Sequence, residues 1–291
     1  KRVHLTNETS LALYDETARA AAAAVLSRYS SSFGAGTRLL PHGMRSHIES
    51  VYAMVRIADE IVDTYRGPDA RTLLDGFESE VHAATERGFS ANVVAHAFGV
   101  TARAVGIGPD QTGPFFASMR MDLDVTEHTP DSFRAYVFGS AEVVGEMCLA
   151  VFVNTEAGPR PLDEDVRDGA RRLGAAYQKI NFLRDLATDS TQLGRTYFPG
   201  ITRETLSDSS LALLVADARE DIRAARASLP ALPRRPLIAV RTTIDIYERL
   251  LRMIAATPAT RLIEHRVRVP DAVKLAFALR NSVAPTRWLT R

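Results

Sequence analysis

Two apolar segments of this 291-residue chain each carry a single line of polar side chains, and this pattern strongly constrains the fold. The first, residues 48–63, is apolar on nearly every face of a helix, which is typical of a helix inside a protein. At about 100° of rotation per residue, its polar residues share a sector roughly 60° wide. They are Tyr52, Arg56, Asp59 and Asp63. We therefore expect both aspartates to be buried on one helix face.

The second segment, residues 177–189, repeats this arrangement far downstream, with its polar side chains in a sector roughly 80° wide. They are Gln178, Asn181, Asp185 and Asp189, with Arg184 close by. A buried carboxylate must be paired or must bind a metal ion. Two carboxylate pairs facing one cavity suit a hard cation such as Mg²⁺. One such pair alone would be ordinary helix surface, but two on apolar helices indicate a site.

Apolar residues recur at helical spacing through nearly the whole chain, while the alternating pattern of strands is scarce, which predicts an all-α protein. No linker or internal repeat divides the sequence, so residues 1–291 are predicted to form a single domain. Ser46 and Glu49 are spaced as a capping box, Gly67-Pro68 marks a helix end, and Thr129-Pro130 marks a helix start.

Composition excludes several classes of protein. The 36 basic and 35 acidic side chains give a net charge of +1, so nucleic acid is not an expected partner. The one cysteine, Cys148, allows neither an internal disulfide nor a cysteine-based zinc cluster, and it reads as a core residue of a cytoplasmic protein. We find no run of 18 apolar residues and no signal pattern, and therefore expect no membrane span or export.

Four blocks of sequence resemble the squalene/phytoene synthase family. The match is weaker after about residue 200, where Tyr247 and residues 266–269 carry it. The third block departs from the family pattern, because Glu142 stands where glycine is common. The residues leave open whether Glu142 points into the cavity or away from it. The blocks are residues 29–41, 51–63, 136–146 and 177–199.

This resemblance implies an all-helical isoprenoid-synthase bundle around a central cavity, in which two allylic prenyl diphosphates are condensed head to head through a cyclopropylcarbinyl diphosphate. It implies Mg²⁺, or alternatively Mn²⁺, bound by Asp59, Asp63, Asn181, Asp185 and Asp189. The implied diphosphate-binding residues are Ser30, Ser32, Arg45, Tyr52, Arg56, Gln178, Arg184, Arg195 and Tyr197. The implied catalytic residues are the four aspartates together with Tyr136 and Tyr247.

The expected product is phytoene, made from two geranylgeranyl diphosphates. No NADPH requirement is expected, because the sequence has no dinucleotide-binding glycine motif. The alternatives are a squalene-type or presqualene diphosphate synthase using farnesyl diphosphate, and an inactive helical binding protein. A class I terpene cyclase would usually have aspartate in place of Glu60. The resemblance also allows a peripheral contact with the inner face of the membrane for product release, and it does not predict the oligomeric state.

Overall fold

The computed structural model describes residues 7–30, 32–65, 67–188 and 194–283. Within these ranges the chain forms helices and no strand, which confirms the all-α prediction. The α-helices are α1 Asn7–Tyr29, α2 Ser32–Thr37, α3 His42–Glu60, α4 Ala70–Arg87, α5 Val93–Val105, α6 Pro109–Asp124, α7 Pro130–Val137, α8 Val143–Asn154, α9 Glu164–Thr188, α10 Asp208–Arg226, α11 Arg234–Ala255, α12 Ala259–Leu262 and α13 Asp271–Val283.

Two of these helices change into wider π-helical turns at positions that the sequence analysis singled out. The end of α3 continues as a π turn over Ile61–Tyr65, and α7 is joined to α8 by a second π turn over Phe138–Glu142. Turns of this kind often occur at functional sites, because the extra residue changes the direction of the side chains that follow. The first π turn contains Asp63, so Asp59 and Asp63 do not lie on one regular α-helix.

The predicted helix boundaries are confirmed in two places and wrong in one. The helix that contains α3 and its π turn ends before Gly67, and the Thr129 hydroxyl accepts the N–H of Ser132 at the start of α7. The capping box at Ser46 is wrong. Because Pro41 precedes α3 with its φ already fixed, the helix begins a turn earlier, and Ser46 lies in its interior.

Two apolar clusters fill the bundle. The first joins α1, α3, α4, α5, α6 and α8 around Met54, Phe98 and Phe115, and the second joins α7, α9, α10 and α11 around Ile180 and Ile244. α3 packs against α1 and α5, whereas α9 packs against α8 and α10.

Glycines bring α9 into backbone contact with the helical segment 138–154. A Cβ atom at Gly145 would overlap the carbonyl oxygen of Ala170, and a Cβ at Gly174 would overlap that of Ala141. Only glycine permits so close an approach.

One helical stretch of the described residues, 130–154, is long and apolar enough to cross a membrane, with a mean hydropathy of 1.6. Of its most apolar window, 56% is buried inside the fold, as for a core helix. Length and composition alone therefore make it weak evidence for a membrane span.

Candidate functional site

An apolar cavity of about 1060 Å³, counting its open mouth, lies among α2, α3, α8, α9 and α11. Its walls include Phe33, Leu40, Phe152 and Leu173, and small residues of α8 and α9 form one side. Polar side chains that reach it include Gln178 and Asn181 of α9. The cavity therefore suits a long hydrocarbon chain with a polar group held near α9.

The first carboxylate pair lies at the end of α3. Asp59 forms an ion pair with Arg56, whose Nη1 lies 2.8 Å from Asp59 Oδ2. Arg56 also forms an ion pair with Glu60. The two aspartate side chains are 31% and 28% exposed, so the expectation that they are buried is wrong. Loss of hydration nevertheless raises the pKa of Asp59 to about 7, and the negative charge of Asp63 acts in the same direction. The positive charge of Arg56 opposes this shift.

Arg195 connects this pair to α6. Its Nη1 lies 2.5 Å from Asp63 Oδ1 and 3.3 Å from Asp122 Oδ1. Its Nη2 donates to the backbone oxygens of Val62 and Asp122. Because the guanidinium is only 7% exposed, it is a buried cation held between two carboxylates.

Asp122 is a site residue that the sequence analysis missed. Its carboxylate accepts hydrogen bonds from the hydroxyls of Tyr136 at 2.8 Å and Tyr197 at 3.4 Å. Burial raises the pKa of Asp122 to about 7, while Arg195 lowers it. The only signal was an aspartate placed directly between the apolar residues Met121 and Leu123 of α6, and its partners come from other segments of the chain. Tyr136 was predicted to be catalytic and Tyr197 to bind diphosphate. In the structure both contact Asp122, and neither is among the described residues that line the cavity.

The second polar line lies on α9. Asp185 pairs with Arg184 at 2.5 Å and with Arg266 at 2.7 Å. Tyr247 donates to Asn181 Oδ1 at 3.3 Å, and its ring stacks on Tyr177 with centroids 3.9 Å apart. Asp189 lies outside the described residues.

Tyr52 of the first polar line has charged and polar neighbours on two helices. They are Arg56 and Asp59 of its own helix and Tyr247 of α11. Burial raises the pKa of the Tyr52 hydroxyl to about 12, although Arg56 and a hydrogen bond with Ser30 lower it. Tyr52 thus connects the polar line of α3 with Tyr247, which donates to Asn181 of α9, and a metal site shared by the two lines stays a prediction.

Four other predicted diphosphate-binding residues lie in three places: at the start of α2, beside the cavity, and at a separate pocket. Ser30 accepts the N–H of Phe33 at the start of α2, which begins at Ser32. Gln178 donates to Ser140 Oγ at 3.2 Å beside the cavity. Arg45 is placed elsewhere: its Nη2 donates to the carbonyl oxygens of Arg38 and Leu40, and it lines a separate pocket.

The structure settles the orientation of Glu142. Ala141 lines the cavity, whereas Glu142 has Arg171, Lys179 and Asp221 as its charged neighbours. Burial raises the pKa of Glu142, and Arg171 lowers it. The carboxylate thus points away from the cavity, toward the contact between α9 and α10.

The described residues contain no group of three or more acidic, histidine or cysteine side chains placed to hold one ion. Mg²⁺ does not need such a group, since it binds through one or two carboxylates and completes its coordination with water and substrate phosphates. Asp59 and Asp63 form a carboxylate pair of this kind, and their mutual repulsion would be relieved by a cation. The donor set therefore fits Mg²⁺.

Comparison with known proteins agrees with this arrangement. The sequence profile of the squalene/phytoene synthase family matches residues 26–272. The chain belongs to this family. The resemblance noted in the sequence is thereby confirmed.

The chain is 28% identical over 275 residues to the phytoene synthase of Mycobacterium bovis, covering 87% of each protein. It is also 28% identical over 277 residues to the 15-cis-phytoene synthase of Enterobacter agglomerans, covering 87% of this chain and 91% of the relative. A crystal structure of a dehydrosqualene synthase superposes with a TM-score of 0.81 at 20% identity, covering 94% of this chain and 98% of the other. This structural match confirms the isoprenoid-synthase fold.

Proposed function

We propose that this synthase condenses two geranylgeranyl diphosphates head to head to give phytoene. The observation that carries the proposal is an apolar cavity reached by Gln178 and Asn181 of α9, whose polar line is connected to that of α3 through Tyr247 and Tyr52. The walls of this cavity are almost entirely apolar, as hydrocarbon tails require, and only a few polar side chains reach it. The phytoene synthases among its relatives support the choice of product.

In the proposed site the diphosphate groups lie between α3 and α9. Asp59 and Asp63 would hold Mg²⁺ on one side, and Asn181, Asp185 and Asp189 on the other. Bound Mg²⁺ supplies Lewis-acid stabilisation of the departing diphosphate. Arg56, Arg184 and Arg195 now pair with aspartates, and their forked guanidinium groups would bind phosphate oxygens in the complex.

The chemistry begins when the C1–O bond of one substrate breaks and leaves an allylic cation. The C2–C3 double bond of the second substrate attacks that cation, and loss of a proton closes a cyclopropane ring. Departure of the second diphosphate, rearrangement and loss of another proton then give the triene. The stacked rings of Tyr177 and Tyr247 can stabilise positive charge, and the apolar walls keep water from the cations.

A C30 reaction is the second candidate. The dehydrosqualene synthase that shares this fold supports it, and farnesyl diphosphate has the same reactive end as the longer substrate. An enzyme of this kind would form presqualene diphosphate or a squalene-type product from two farnesyl diphosphates.

The assay that tests the proposal supplies each prenyl diphosphate with and without Mg²⁺ and with and without NADPH. We expect a hydrocarbon from geranylgeranyl diphosphate that requires Mg²⁺, is indifferent to NADPH and shows the near-ultraviolet absorbance of a conjugated triene. Mass spectrometry identifies the product. A product formed only from farnesyl diphosphate, or only with NADPH, would support the C30 candidate, and no product from either would support a binding protein.

Substituting Thr37 tests the assignment of the hydrocarbon pocket. Thr37 lines the cavity, and we expect Thr37→Phe to lower kcat/KM for the C20 substrate more than for the C15 substrate, because the added ring shortens the space for the tail. The control is Thr17→Phe, since the hydroxyls of both threonines donate to the carbonyl four residues earlier but Thr17 is exposed on α1. Equal losses for the two substrates would contradict the assignment.

A further inference from the structure

A second pocket, beside α13, is strongly basic. Among the described residues its lining contains no acidic side chain, and Ser282 of α13 lies at its rim. Arg38, Arg234 and Arg235 are exposed and make no ion pair with any described residue. Its basic side chains are Arg38, His42, Arg45, Arg234 and Arg235.

Two helices begin at this pocket, where Glu49 of α3 offsets part of the charge of Arg45 and His42 but the other three arginines have no ion-pair partner among the described residues. α3 starts after Pro41 and α11 after Pro233, and neither start has a capping side chain or an acidic residue in its first turn. A helix N-terminus already carries unbonded N–H groups and partial positive charge. Arg234 and Arg235 add charge of the same sign there. The pocket is therefore suited to an anion that contacts several of these groups.

An exposed apolar stripe on α13 adjoins the pocket. Leu275, Leu279 and Val283 are 61%, 60% and 86% exposed. With Ala272 and Ala276 they fall in a sector about 100° wide. Ser282 lies just beside this sector, toward the pocket. On the opposite face Asn281 is buried and donates to Asp245 of α11 at 2.7 Å, which fixes the stripe outward.

We propose that this surface, the α13 stripe together with the arginine pocket, docks on a membrane of anionic phospholipid. The leucines enter the boundary between headgroups and acyl chains, as in other interfacial helices. The arginines bind lipid phosphates, which are bidentate partners for guanidinium.

A second copy of the chain fits this surface less well. The exposed stripe comprises five residues of α13, which is few beside the roughly 20–30 residues a side that a stable interface uses. In a two-fold dimer the same patch meets itself, so the arginine clusters would be brought together. An anionic bilayer satisfies both the charge and the apolar stripe.

The surface also lies close to the hydrocarbon cavity. Leu40 lines the basic pocket on one side and the cavity on the other. If the proposed function is right, an apolar product therefore has a short path into the bilayer. The docking itself does not depend on that function.

The test is co-sedimentation of the full chain with vesicles of phosphatidylcholine alone or mixed with phosphatidylglycerol. We expect binding to the mixed vesicles that weakens with added salt. Leu275→Glu with Leu279→Glu should weaken it by about tenfold or more, since burial of each leucine is lost. Arg234→Glu with Arg235→Glu should cost at least about fivefold for each arginine. Matched controls on α10, Leu213→Glu and Arg219→Glu, should bind like the unaltered chain, because Leu213 is also exposed, at 72%, but lies outside the surface.

Several results would overturn the proposal. They are failure of the unaltered chain to bind mixed vesicles, equal losses in the α10 controls, and a dimer that the leucine substitutions dissociate. Calorimetric binding of inorganic diphosphate that Arg234→Glu abolishes, without vesicle binding, would reassign the pocket to a soluble anion. Circular dichroism of each variant ensures that the comparison is made between folded proteins.

Discussion

Replacing Asp63 or Asp185 by alanine is expected to lower kcat by about 100-fold or more while the protein stays folded. Each variant removes a carboxylate from one of the two polar lines, so the departing diphosphate loses part of its charge stabilisation. Both side chains are partly exposed, at 28% and 20%, so little packing is lost. Steady-state turnover of the prenyl diphosphate at saturating Mg²⁺ measures the effect.

Asp75→Ala is the matched control for both variants. Asp75 also pairs with an arginine, Arg120 of α6, at 2.6 Å, but it lies on α4 and belongs to neither polar line. We expect its turnover to stay within a factor of about two of the unaltered enzyme, since removing an exposed ion pair has only small effects. Near-normal turnover in Asp63→Ala or Asp185→Ala would show that the substituted aspartate is an ordinary surface residue with no part in the reaction.

Arg195→Leu should lower the free energy of unfolding by about 3 kcal/mol or more, because it leaves the buried Asp122 without its counter-ion. The loss should also depend on pH. Arg195 lowers the pKa of Asp122, so without it that pKa rises above its present value of about 7. A carboxyl whose pKa is raised in the folded state loses stability as the pH rises from its unfolded to its folded pKa, so below about pH 7 the two proteins lose alike and above it the variant alone loses further. The difference between the two proteins should therefore widen as the pH rises through about 7.

Arg71→Leu is the control for this variant. Arg71 pairs with another aspartate of α6, Asp124, but these side chains are 46% and 61% exposed. We expect a loss of no more than about 1 kcal/mol, with little change over the same pH range. Urea unfolding at several pH values measures both variants. Equal losses for Arg195→Leu and Arg71→Leu would show that Asp122 does not depend on Arg195.

Periodicity was sufficient to predict the helical fold, since helix formation depends on the local sequence, whereas a site shared by the two polar lines depends on long-range packing and stays a prediction. It could not predict the π turn over Ile61–Tyr65, because the turn arises from how the end of α3 packs against α4 and α6. For the same reason the degree of burial of Asp59 and Asp63 was overestimated. A regular α-helix would place both aspartates on one narrow face, whereas the wider turn separates their directions.

Long-range partners account for the other differences. Asp122 binds Tyr136 from α7 and Arg195 and Tyr197 from one segment far downstream, and no pattern within α6 reveals them. Arg45 lies eleven residues before Arg56 on α3, which is about 16 Å along the axis. That distance takes it to the opposite end of the helix, where Arg38 and Leu40 are its neighbours.

The glycine contacts between α9 and segment 138–154 have a consequence for how product length can evolve. Ala141, Gly145, Ala170 and Gly174 line the cavity, and this wall is backbone packed on backbone, so any larger side chain there must push two helices apart. Around Thr37 and Leu40 the wall is made of side chains, which can be exchanged one at a time. Selection for longer or shorter substrates therefore has access to one side of the cavity, and the other side is inherited almost unchanged.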